Sequence, residues 1–448
     1  MGNRVEVHSH TDYSNLRLID SRNKVKDLID RAVEIGLKGI AITDHETLAA
    51  HVQAELLGTE IKKTNPDFKV MLGNEIYLTD TRNPGQQYYH FILIAKDAIG
   101  HKQLRKLSSI SWLNSYVDRG MERVPTLKSE LAEMVKADPG HLIATSACLG
   151  GELSKTTLEL INSRKIGDEA TEARAYAQID NFLSEMKALF GSDFYIEIAP
   201  GKSREQVLVN EKLKQLSEVY NMKIVIGSDA HYLKKEDRYV HKAFLNSKSS
   251  KEREVDDFYE FAYLQDDEDI LKNLGDSFTK EEIAQFYDNS GEIYDKVQAY
   301  ELTHSQQIPK VEVKKYDKSQ SLKEIEDIAP TLNKLMESDI PQDRFWVNEC
   351  VNKLKEKHLF NTEYIERLEE EARVHDVIGQ QLHTNMFSYP VTLKHYVDMF
   401  WECGSMVGAG RGSSCAGLNH YLLGITQLDP IKWNLPFWRL NQRNSLPM

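Results

Sequence analysis

Cysteine, long hydrophobic runs and excess positive charge are all scarce in this sequence. Four cysteines in 448 residues are too few for a disulfide framework. With no apolar leader at the start of the chain, this favours a reducing, cytoplasmic location. No apolar run approaches the roughly 18–20 residues that cross a bilayer, so no membrane partner is expected. The 41% hydrophobic and 28% charged fractions exclude a collagenous or wholly disordered chain.

The charge balance leaves the partner open. Lysine and arginine number 56 against 69 acidic residues, which gives a formal net charge of −13. The last 48 residues carry four basic and two acidic residues, so a segment of +2 follows a body of −15. A nucleic-acid groove needs only local positive charge, so the sum does not exclude one.

Short β-branched or aromatic runs alternate with longer amphipathic stretches through the first half of the chain. Seven such runs are typical of buried strands, at residues 5–8, 39–43, 69–73, 91–95, 142–144, 194–198 and 223–226. Helix-like stretches such as 24–35 and 207–220 separate them. Strands alternating with helices predict an α/β fold, and seven such units favour a closed or nearly closed barrel.

Polar and metal-binding side chains border these runs. The run-end residues are His8, His10, Asp44, His45, Glu75, Cys148, Glu197, Asp229 and His231, and His90 precedes the fourth run. In a parallel barrel the carboxyl ends of the strands form one rim, so these side chains are expected to meet there as a metal site. His90 fits only if its strand runs the other way.

Other histidines and Glu197 have simpler interpretations. A lone histidine at a strand end is most often a hydrogen-bonded structural residue. A structural role is also expected for His51, His101, His141 and His241, which lie in helix-like or loop contexts. Glu197 is either a partner that orients a ligand or a carboxylate that stabilises the rim. The run 369–371, three glutamates, is interpreted as a solvated helix face.

Several motifs together resemble a known family. They are His8-Ser9-His10, Thr43-Asp44-His45, Gly73-Asn74-Glu75, His90, Ser146-Ala147-Cys148-Leu149-Gly150 and Asp229-Ala230-His231. They are similar to the PHP (polymerase and histidinol phosphatase) motifs of bacterial DNA polymerase III alpha subunits, the C-family replicative polymerases. The resemblance implies a distorted (β/α)7 barrel of the PHP type.

The resemblance also implies a set of nine metal ligands. They are His8, His10, Asp20, His45, Glu75, His90, Cys148, Asp229 and His231. Residues 13–19, which precede Asp20, do not closely match the family's usual sequence at this position. Two or three divalent ions (Zn, Mn, Fe or Mg) are expected there. No catalytic side chain is implied, because a metal-bound water is the expected nucleophile.

The C-terminal segment resembles the start of the family's polymerase palm. The matching stretches are residues 407–414, 421–426 and 428–431. A glycine-rich loop lets backbone N–H groups approach an anion. The resemblance implies that Gly410, Arg411, Gly412, Ser413 and Ser414 bind the triphosphate of the incoming nucleotide. The less favoured alternative for Arg411 is a solvent-facing loop residue.

These resemblances predict three parts of the chain. Residues 1–265 are the PHP phosphoesterase barrel, 266–320 a connector, and 321–448 a mostly helical segment with the first, incomplete part of a nucleotidyltransferase-like palm. In the family, the palm aspartates that hold Mg²⁺ would follow Met448. We therefore expect no polymerisation by this chain alone, with Mg²⁺ engaged only if a C-terminal polymerase fragment supplies those aspartates.

The implied function is that of a replicative DNA polymerase III alpha with 3′→5′ exonuclease proofreading by the PHP domain. The implied partners are primer-template DNA, dNTP and replisome subunits, in a bacterial or virus-infected cytoplasm. Two alternatives stay open. One is a free-standing PHP phosphoesterase that acts on small phosphomonoesters, and the other is a scaffold whose metals only stabilise the barrel.

Overall fold

The computed structural model describes residues 3–16, 19–118, 120–247, 257–305, 307–318, 325 and 327–439. The chain forms two compact units, 1–304 and 305–448. The junction falls inside the stretch 266–320 that the sequence predicts as a connector, and the boundaries at 265 and 320 stay predictions. Among the described residues, no helix is both long and apolar enough to cross a membrane.

The first unit is built on one eight-stranded sheet and a separate hairpin. The strands are β1 Val5–Glu6, β2 Gly39–Ile42, β3 Lys69–Thr79, β4 Tyr89–Ala95, β5 Tyr116–Asp118, β6 Met121–Arg123, β7 Thr126–Leu127, β8 Leu142–Thr145, β9 Phe194–Ile198 and β10 Lys223–Ile226. The sheet order is β1-β2-β3-β4-β8-β9-β10, with β7 paired to β3 and with β5 and β6 as the hairpin. A parallel bridge between Ser9 and Ala230 joins the two ends of the sheet. The predicted nearly closed barrel is therefore confirmed.

Strand β4 runs against its neighbours. It is antiparallel to both β3 and β8, whereas β1-β2, β2-β3, β8-β9 and β9-β10 are parallel pairs. Because of this reversal, the first residues of β4 lie at the edge where the other strands end. His90, at the start of β4, therefore lies at that edge. This is the reversed strand direction that the sequence analysis expected for His90.

Helices cover the outside of the barrel. They are α1 Val25–Glu34, α2 His51–Ile61, α3 Ala98–Leu113, α4 Lys128–Ala137, α5 Glu152–Ile166, α6 Glu169–Phe190, α7 Arg204–Tyr220, α8 Arg238–Asn246, α9 Asp267–Leu274 and α10 Lys280–Lys296. The largest buried cluster packs α5, α6 and α7 against β4, β8 and β9 around Phe91 and Phe194. Alternating apolar residues on these strands thus face either the helices or the barrel interior.

Helix α10 closes one end of the barrel. The Val5 N–H donates to Ser290 Oγ at 3.2 Å, and Asn289 Nδ2 donates to the Ile224 carbonyl at 2.7 Å. Lys69 Nζ donates to the Tyr294 carbonyl at 2.5 Å. These three contacts fall at the starts of β1, β10 and β3. The carboxyl ends of the parallel strands form the opposite rim, where sites are built in such folds.

The second unit is helical in the part that the structure describes. Its helices are α11 Pro330–Met336, α12 Pro341–Glu356, α13 Thr362–Gln381, α14 Ser388–Glu402 and α15 Leu418–Leu422. Trp346 is fully buried at the centre and packs on Phe387, with ring centroids 5.0 Å apart. The predicted helical segment is confirmed, with proline at the first position of α11 and α12, where its missing N–H is tolerated.

Candidate metal centre

The structure brings all nine predicted ligands together at the rim opposite α10. Three overlapping groups have ligand atoms within 4.8 Å of one another: His8, His10, Glu75 and Asp229; His10, His45 and His231; and Glu75, His90 and Cys148. Asp20 Oδ2 joins the second group, 2.7 Å from His45 Nε2 and 2.9 Å from His231 Nε2. That these residues bind metal is a proposal, which the geometry below supports.

The first group has the spacing of a coordination shell. His8 Nε2 lies 3.1 Å from His10 Nε2, and Asp229 Oδ1 lies 3.2 and 3.0 Å from these two nitrogens. A tetrahedral ion with ligands at about 2.0–2.1 Å separates its ligand atoms by about 3.3 Å. Asp229 Oδ1 is buried without a hydrogen-bond partner. A buried, unsatisfied carboxylate oxygen between two imidazole nitrogens fits a divalent cation.

Glu75 connects the groups. Its Oε2 lies 3.3 Å from His8 Nε2, 3.1 Å from His10 Nε2 and 2.9 Å from His45 Nδ1. Its Oε1 contacts His90 Nδ1. One carboxylate therefore faces ligand sets on both sides, as a bridge between two ions does. The donor set of imidazoles, carboxylates and one thiol suits more than one transition ion.

Strained turns at the strand ends aim some of these ligands. Asp229 itself has a φ of 49°, Ala147 before Cys148 has 58°, and Glu46 after His45 has 53°. Residues other than glycine rarely adopt such left-handed conformations, and they concentrate at functional sites. His8 and His10 need no such turn, since alternate residues of an extended chain face the same side.

A second set of polar side chains orients the imidazoles. His8 Nδ1 donates to Glu197 Oε1 at 2.6 Å, so Nε2 faces the cluster. His10 Nδ1 lies 3.2 Å from Ser14 Oγ, which donates to Asp44 Oδ1 at 2.7 Å. Glu197 therefore orients His8, which favours its interpretation as a partner of a proposed ligand. Such partners fix the tautomer and raise the basicity of a ligating imidazole.

The glycine-rich loop of the second unit is shaped by two backbone conformations. Gly410 has a φ of 140° and Gly412 a φ of 66°. A Cβ at Gly410 would lie 2.7 Å from Cys415 Sγ, so a side chain is excluded by contact as well as by backbone strain. Arg411 and Ser413 are exposed, and Ser414 Oγ donates to the Arg411 carbonyl at 2.9 Å. The loop thus presents polar groups to solvent, and phosphate binding by it stays a prediction.

Glu371 holds the segment that follows this loop. Its carboxylate is fully buried and accepts from the Leu418 N–H at 2.7 Å and from the Asn419 N–H and Nδ2 at 2.8 and 2.7 Å. Arg367 Nε donates to it at 3.0 Å. The interpretation of 369–371 as a solvated face is therefore wrong for Glu371. A buried carboxylate needs such partners, and here they are the free N–H groups at the start of α15.

Two protein families match the chain in succession. Residues 6–200 match the PHP domain, and residues 331–447 match the bacterial DNA polymerase III alpha NTPase domain. The chain therefore carries a PHP domain followed by a bacterial DNA polymerase III alpha NTPase domain, an order that resembles the DNA polymerase III alpha subunits. The PHP match covers the strand ends that carry most of the cluster described above.

Relatives of this family span a longer chain. The protein is 39% identical to the probable DNA polymerase YorL of Bacillus subtilis over 97% of this chain and 35% of that protein. It is 28% identical to the DNA polymerase III subunit alpha of Helicobacter pylori over 98% of this chain and 34% of that protein. The chain thus spans about 35% of the length of these curated relatives. A putative metal-dependent phosphoesterase from Bifidobacterium adolescentis aligns over 62% of this chain at 16% identity and a TM-score of 0.32.

Buried carboxylates dominate the electrostatics of the PHP cluster. Burial lowers the pKa of His8, but the carboxylates of Asp229, Glu197 and Glu75 outweigh it, so the pKa is raised well above its usual value. In the same way the pKa of His45 rises to about 10, against burial, because of Glu75 and Asp20. An imidazole must be unprotonated at the nitrogen that binds a cation, so cation binding at this cluster would depend on pH.

The PHP cluster opens on one side. The side chains of His8, His10 and Glu75 are wholly buried, whereas that of His90 is 26% exposed. His90 stacks on Tyr77 at a centroid distance of 4.6 Å. The cluster is therefore most accessible to solvent at His90.

Sequence reasoning missed the partners of Asp20. Tyr259 Oη donates to Asp20 Oδ1 at 2.8 Å, and His241 Nε2 donates to the Asp20 carbonyl at 2.7 Å. Burial lowers the pKa of His241 to about 4, so it is neutral. The other three histidines interpreted as structural also lie outside the cluster. His51 Nδ1 accepts from His101 Nε2 at 3.0 Å, and His141 pairs with Asp97 at 2.7 Å.

Proposed function

We propose that the PHP domain hydrolyses phosphodiester bonds at the 3′ end of a DNA strand, as a proofreading 3′→5′ exonuclease. The observation that carries the proposal is the completeness of the nine-residue cluster at the open rim of the barrel. Relatives are named as DNA polymerases, and a polymerase meets phosphodiesters rather than small monoesters at its working site.

In the proposed reaction a water oxygen forms a bond to the terminal phosphorus, and the bond from phosphorus to O3′ of the preceding nucleotide breaks. The products are a nucleoside 5′-monophosphate and a strand with a free 3′-hydroxyl, which takes the proton that the water loses. Divalent cations, when bound, supply the positive charge that acidifies the water and stabilises the departing oxygen.

The side chains of this domain supply position and charge. His8, His10 and Asp229 would hold one cation, and Asp20, His45 and His231 another, with Glu75 between them. His90 and Cys148 would complete the set at the open side, next to the substrate. Glu197 and Asp44 keep the imidazoles of His8 and His10 turned inward, which preserves the geometry through a turnover.

For the second unit we propose that residues 410–414 bind the triphosphate of an incoming nucleotide. Exposed Arg411 and Ser413 support this, since a guanidinium and a hydroxyl both suit phosphate oxygens. DNA synthesis is proposed only for this chain together with a partner that supplies the metal-binding aspartates. Primer extension by the chain mixed with a C-terminal polymerase fragment tests this, and no extension with such a fragment would count against it.

The exonuclease proposal is tested with His8→Ala and Asp229→Ala in Mn²⁺ on a 3′-labelled primer. Both variants should lose metal-dependent nucleotide release, while His141→Ala, outside the cluster, should keep it. Undiminished release by both cluster variants would overturn the proposal. Hydrolysis of p-nitrophenyl phosphate without action on DNA would favour the small-substrate phosphoesterase. Loss of folding on metal removal, with no hydrolysis at any stage, would favour the scaffold.

A further inference from the structure

Two cations beside the open side of the PHP cluster have no carboxylate partner among the described ion pairs. Lys155, in the first turn of α5, is half-buried, and its Nζ donates to the Tyr88 carbonyl at 3.2 Å. Arg123, at the end of β6, is also half-buried, and its Nε has no hydrogen-bond partner. Partly buried cations without a carboxylate partner are suited to an anionic ligand, because the ligand would supply the missing counter-charge.

Two neighbouring cations, Arg82 and Lys128, form ion pairs with glutamates, unlike Lys155 and Arg123. Arg82 forms a two-point ion pair with Glu130 at 2.7 and 2.6 Å. Lys128 binds Glu152 at 2.8 Å. Arg82 and Lys128 are thus paired with acidic residues, whereas the described ion pairs include none for Lys155 or Arg123.

Both unpaired cations lie against aromatic rings. The Arg123 guanidinium is 5.6 Å from the centre of the Tyr88 ring, and Lys155 Nζ is 5.4 Å from the centre of the Tyr89 ring. Both tyrosines are partly exposed. Half-exposed aromatic faces interleaved with cations are the usual combination for binding single strands, because bases stack on the rings and phosphates meet the cations.

These side chains lie near the metal cluster along the chain. Tyr88 and Tyr89 directly precede His90. The His90 side chain is 26% exposed, whereas those of His8, His10, Asp20, His45, Glu75, Asp229 and His231 are at most 10% exposed. The His90 N–H donates to the Gly150 carbonyl at 3.1 Å, and Gly151 is the N-cap of α5, which carries Lys155. We call Tyr88, Tyr89, Arg123 and Lys155 the entrance surface.

We propose that the entrance surface binds single-stranded DNA, with Lys155 and Arg123 on successive backbone phosphates and the two tyrosines under bases, and so delivers a strand end to the cluster. This inference rests on the proposed phosphodiester hydrolysis and deepens it, because it assigns the side chains that hold the strand outside the cluster. A small phosphomonoester would fill the cluster alone and would need neither the second cation nor the rings.

Binding is tested on the full chain in EDTA, by the fluorescence anisotropy of 5′-fluorescein-labelled (dT)10 over a series of NaCl concentrations. Lys155→Gln and Arg123→Gln should each weaken binding about 5- to 10-fold and lower the slope of log K against log salt by about 0.7, the value for one phosphate contact on a single strand. Lys155→Arg keeps the charge and should bind within about twofold of wild type.

Lys212→Gln is the matched control. Lys212 is also half-buried beside a tyrosine, 6.0 Å from the Tyr176 ring centre, but it lies on α7 and binds Gln215 at 3.1 Å. This variant should bind and cleave DNA as wild type does. Thermal unfolding of every variant checks that it is folded. If Lys155→Gln does not fold, Lys155→Arg and Arg123→Gln still test the proposal.

Parallel hydrolysis assays in Mn²⁺ separate the two proposals. Lys155→Gln should raise KM for the oligonucleotide more than it raises KM for bis(p-nitrophenyl) phosphate. Binding that depends on Lys155 without any hydrolysis would overturn the proposed nuclease and support the entrance surface. Intact hydrolysis with unchanged affinity and salt slope in both glutamine variants would overturn the entrance surface alone. Failure of the wild type to bind (dT)10 would also overturn it.

Discussion

Glu197 Oε1 lies 2.6 Å from His8 Nδ1, and both groups are wholly inaccessible to solvent. Thr145 Oγ1 donates to the other carboxylate oxygen, so Glu197 is fixed in place. The contact keeps the proton on Nδ1 and leaves Nε2 as the nitrogen that faces Asp229.

Replacing this carboxylate should weaken metal binding without removing a proposed ligand. Glu197→Gln keeps the size but loses the charge that holds His8, so affinity for Zn²⁺ or Mn²⁺ should fall about 10- to 100-fold. Isothermal titration calorimetry measures this. Glu292→Gln, at an exposed ion pair with Lys223, is the control and should bind as wild type does. Equal affinity in both variants would show that Glu197 does not orient a ligand.

The hydroxyl of Tyr259 is predicted to raise the metal affinity of the group formed by Asp20, His45 and His231. Tyr259→Phe removes the 2.8 Å hydrogen bond to Asp20 Oδ1, which frees this carboxylate to move. The expected result is a loss of about 10-fold in the affinity for one ion, with the other ions retained. Metal stoichiometry by elemental analysis after dialysis measures it. Tyr294→Phe, whose hydroxyl binds the Asp67 carbonyl, is the control. An unchanged ion count at all dialysis times would contradict the prediction.

Glu371 is predicted to stabilise the second unit strongly. Glu371→Ala would leave the N–H groups of Leu418 and Asn419 and the Arg367 guanidinium without their acceptor. Removing one partner from a buried charged network costs about 3–5 kcal/mol. Urea unfolding followed by Trp fluorescence measures the loss. Glu370→Ala, exposed in the same turn, should change stability by less than about 0.5 kcal/mol. Equal small losses in both would mean that the network contributes little.

The neutral pair His51 and His101 predicts a loss of stability in acid. Burial, with a smaller effect of His101, lowers the pKa of His51 to about 3, and burial, with Arg105, lowers that of His101 to about 4. Below about pH 6.5 the unfolded chain binds protons that the folded chain does not, so stability falls by about 1.4 kcal/mol per pH unit for each histidine. The loss stops growing once the pH falls through the folded values.

This pH dependence is checked by urea unfolding in EDTA at pH 7 and pH 5. His101→Gln removes one of the two titrating groups, so its loss between the two pH values should be about 2 kcal/mol smaller than that of wild type. His141→Gln, which alters an ion pair instead, should not flatten the profile in this way. Parallel profiles for wild type and His101→Gln would contradict the assignment.

The barrel and the run-end residues were predictable because both depend on local pattern. A histidine two residues from another, as in His8 and His10, shares its side in any extended segment. The reversal of β4 followed from His90 alone, since that residue precedes its strand. Asp20 had no pattern of its own, and its place depends on Tyr259, which is 239 positions away.

Glu371 shows why the remainder was not predictable. Three consecutive glutamates have the same composition as a solvated surface, yet Glu369, Glu370 and Glu371 meet three different environments. Glu369 accepts from the Thr331 and Leu332 N–H groups at the start of α11, Glu370 is exposed, and Glu371 lies beneath α15. Only the packing of distant helices decides which carboxylate is buried.

The bridge between Ser9 and Ala230 lies between two pairs of proposed ligands, His8 with His10 and Asp229 with His231. A cation held by both pairs would therefore cross-link the first and last strand segments of the barrel. Removal of the cation should destabilise the pairing of these two segments before any other part of the sheet. Amide hydrogen exchange at Ala230 and His10 should then accelerate after chelation, while exchange at β8 and β9 stays slow.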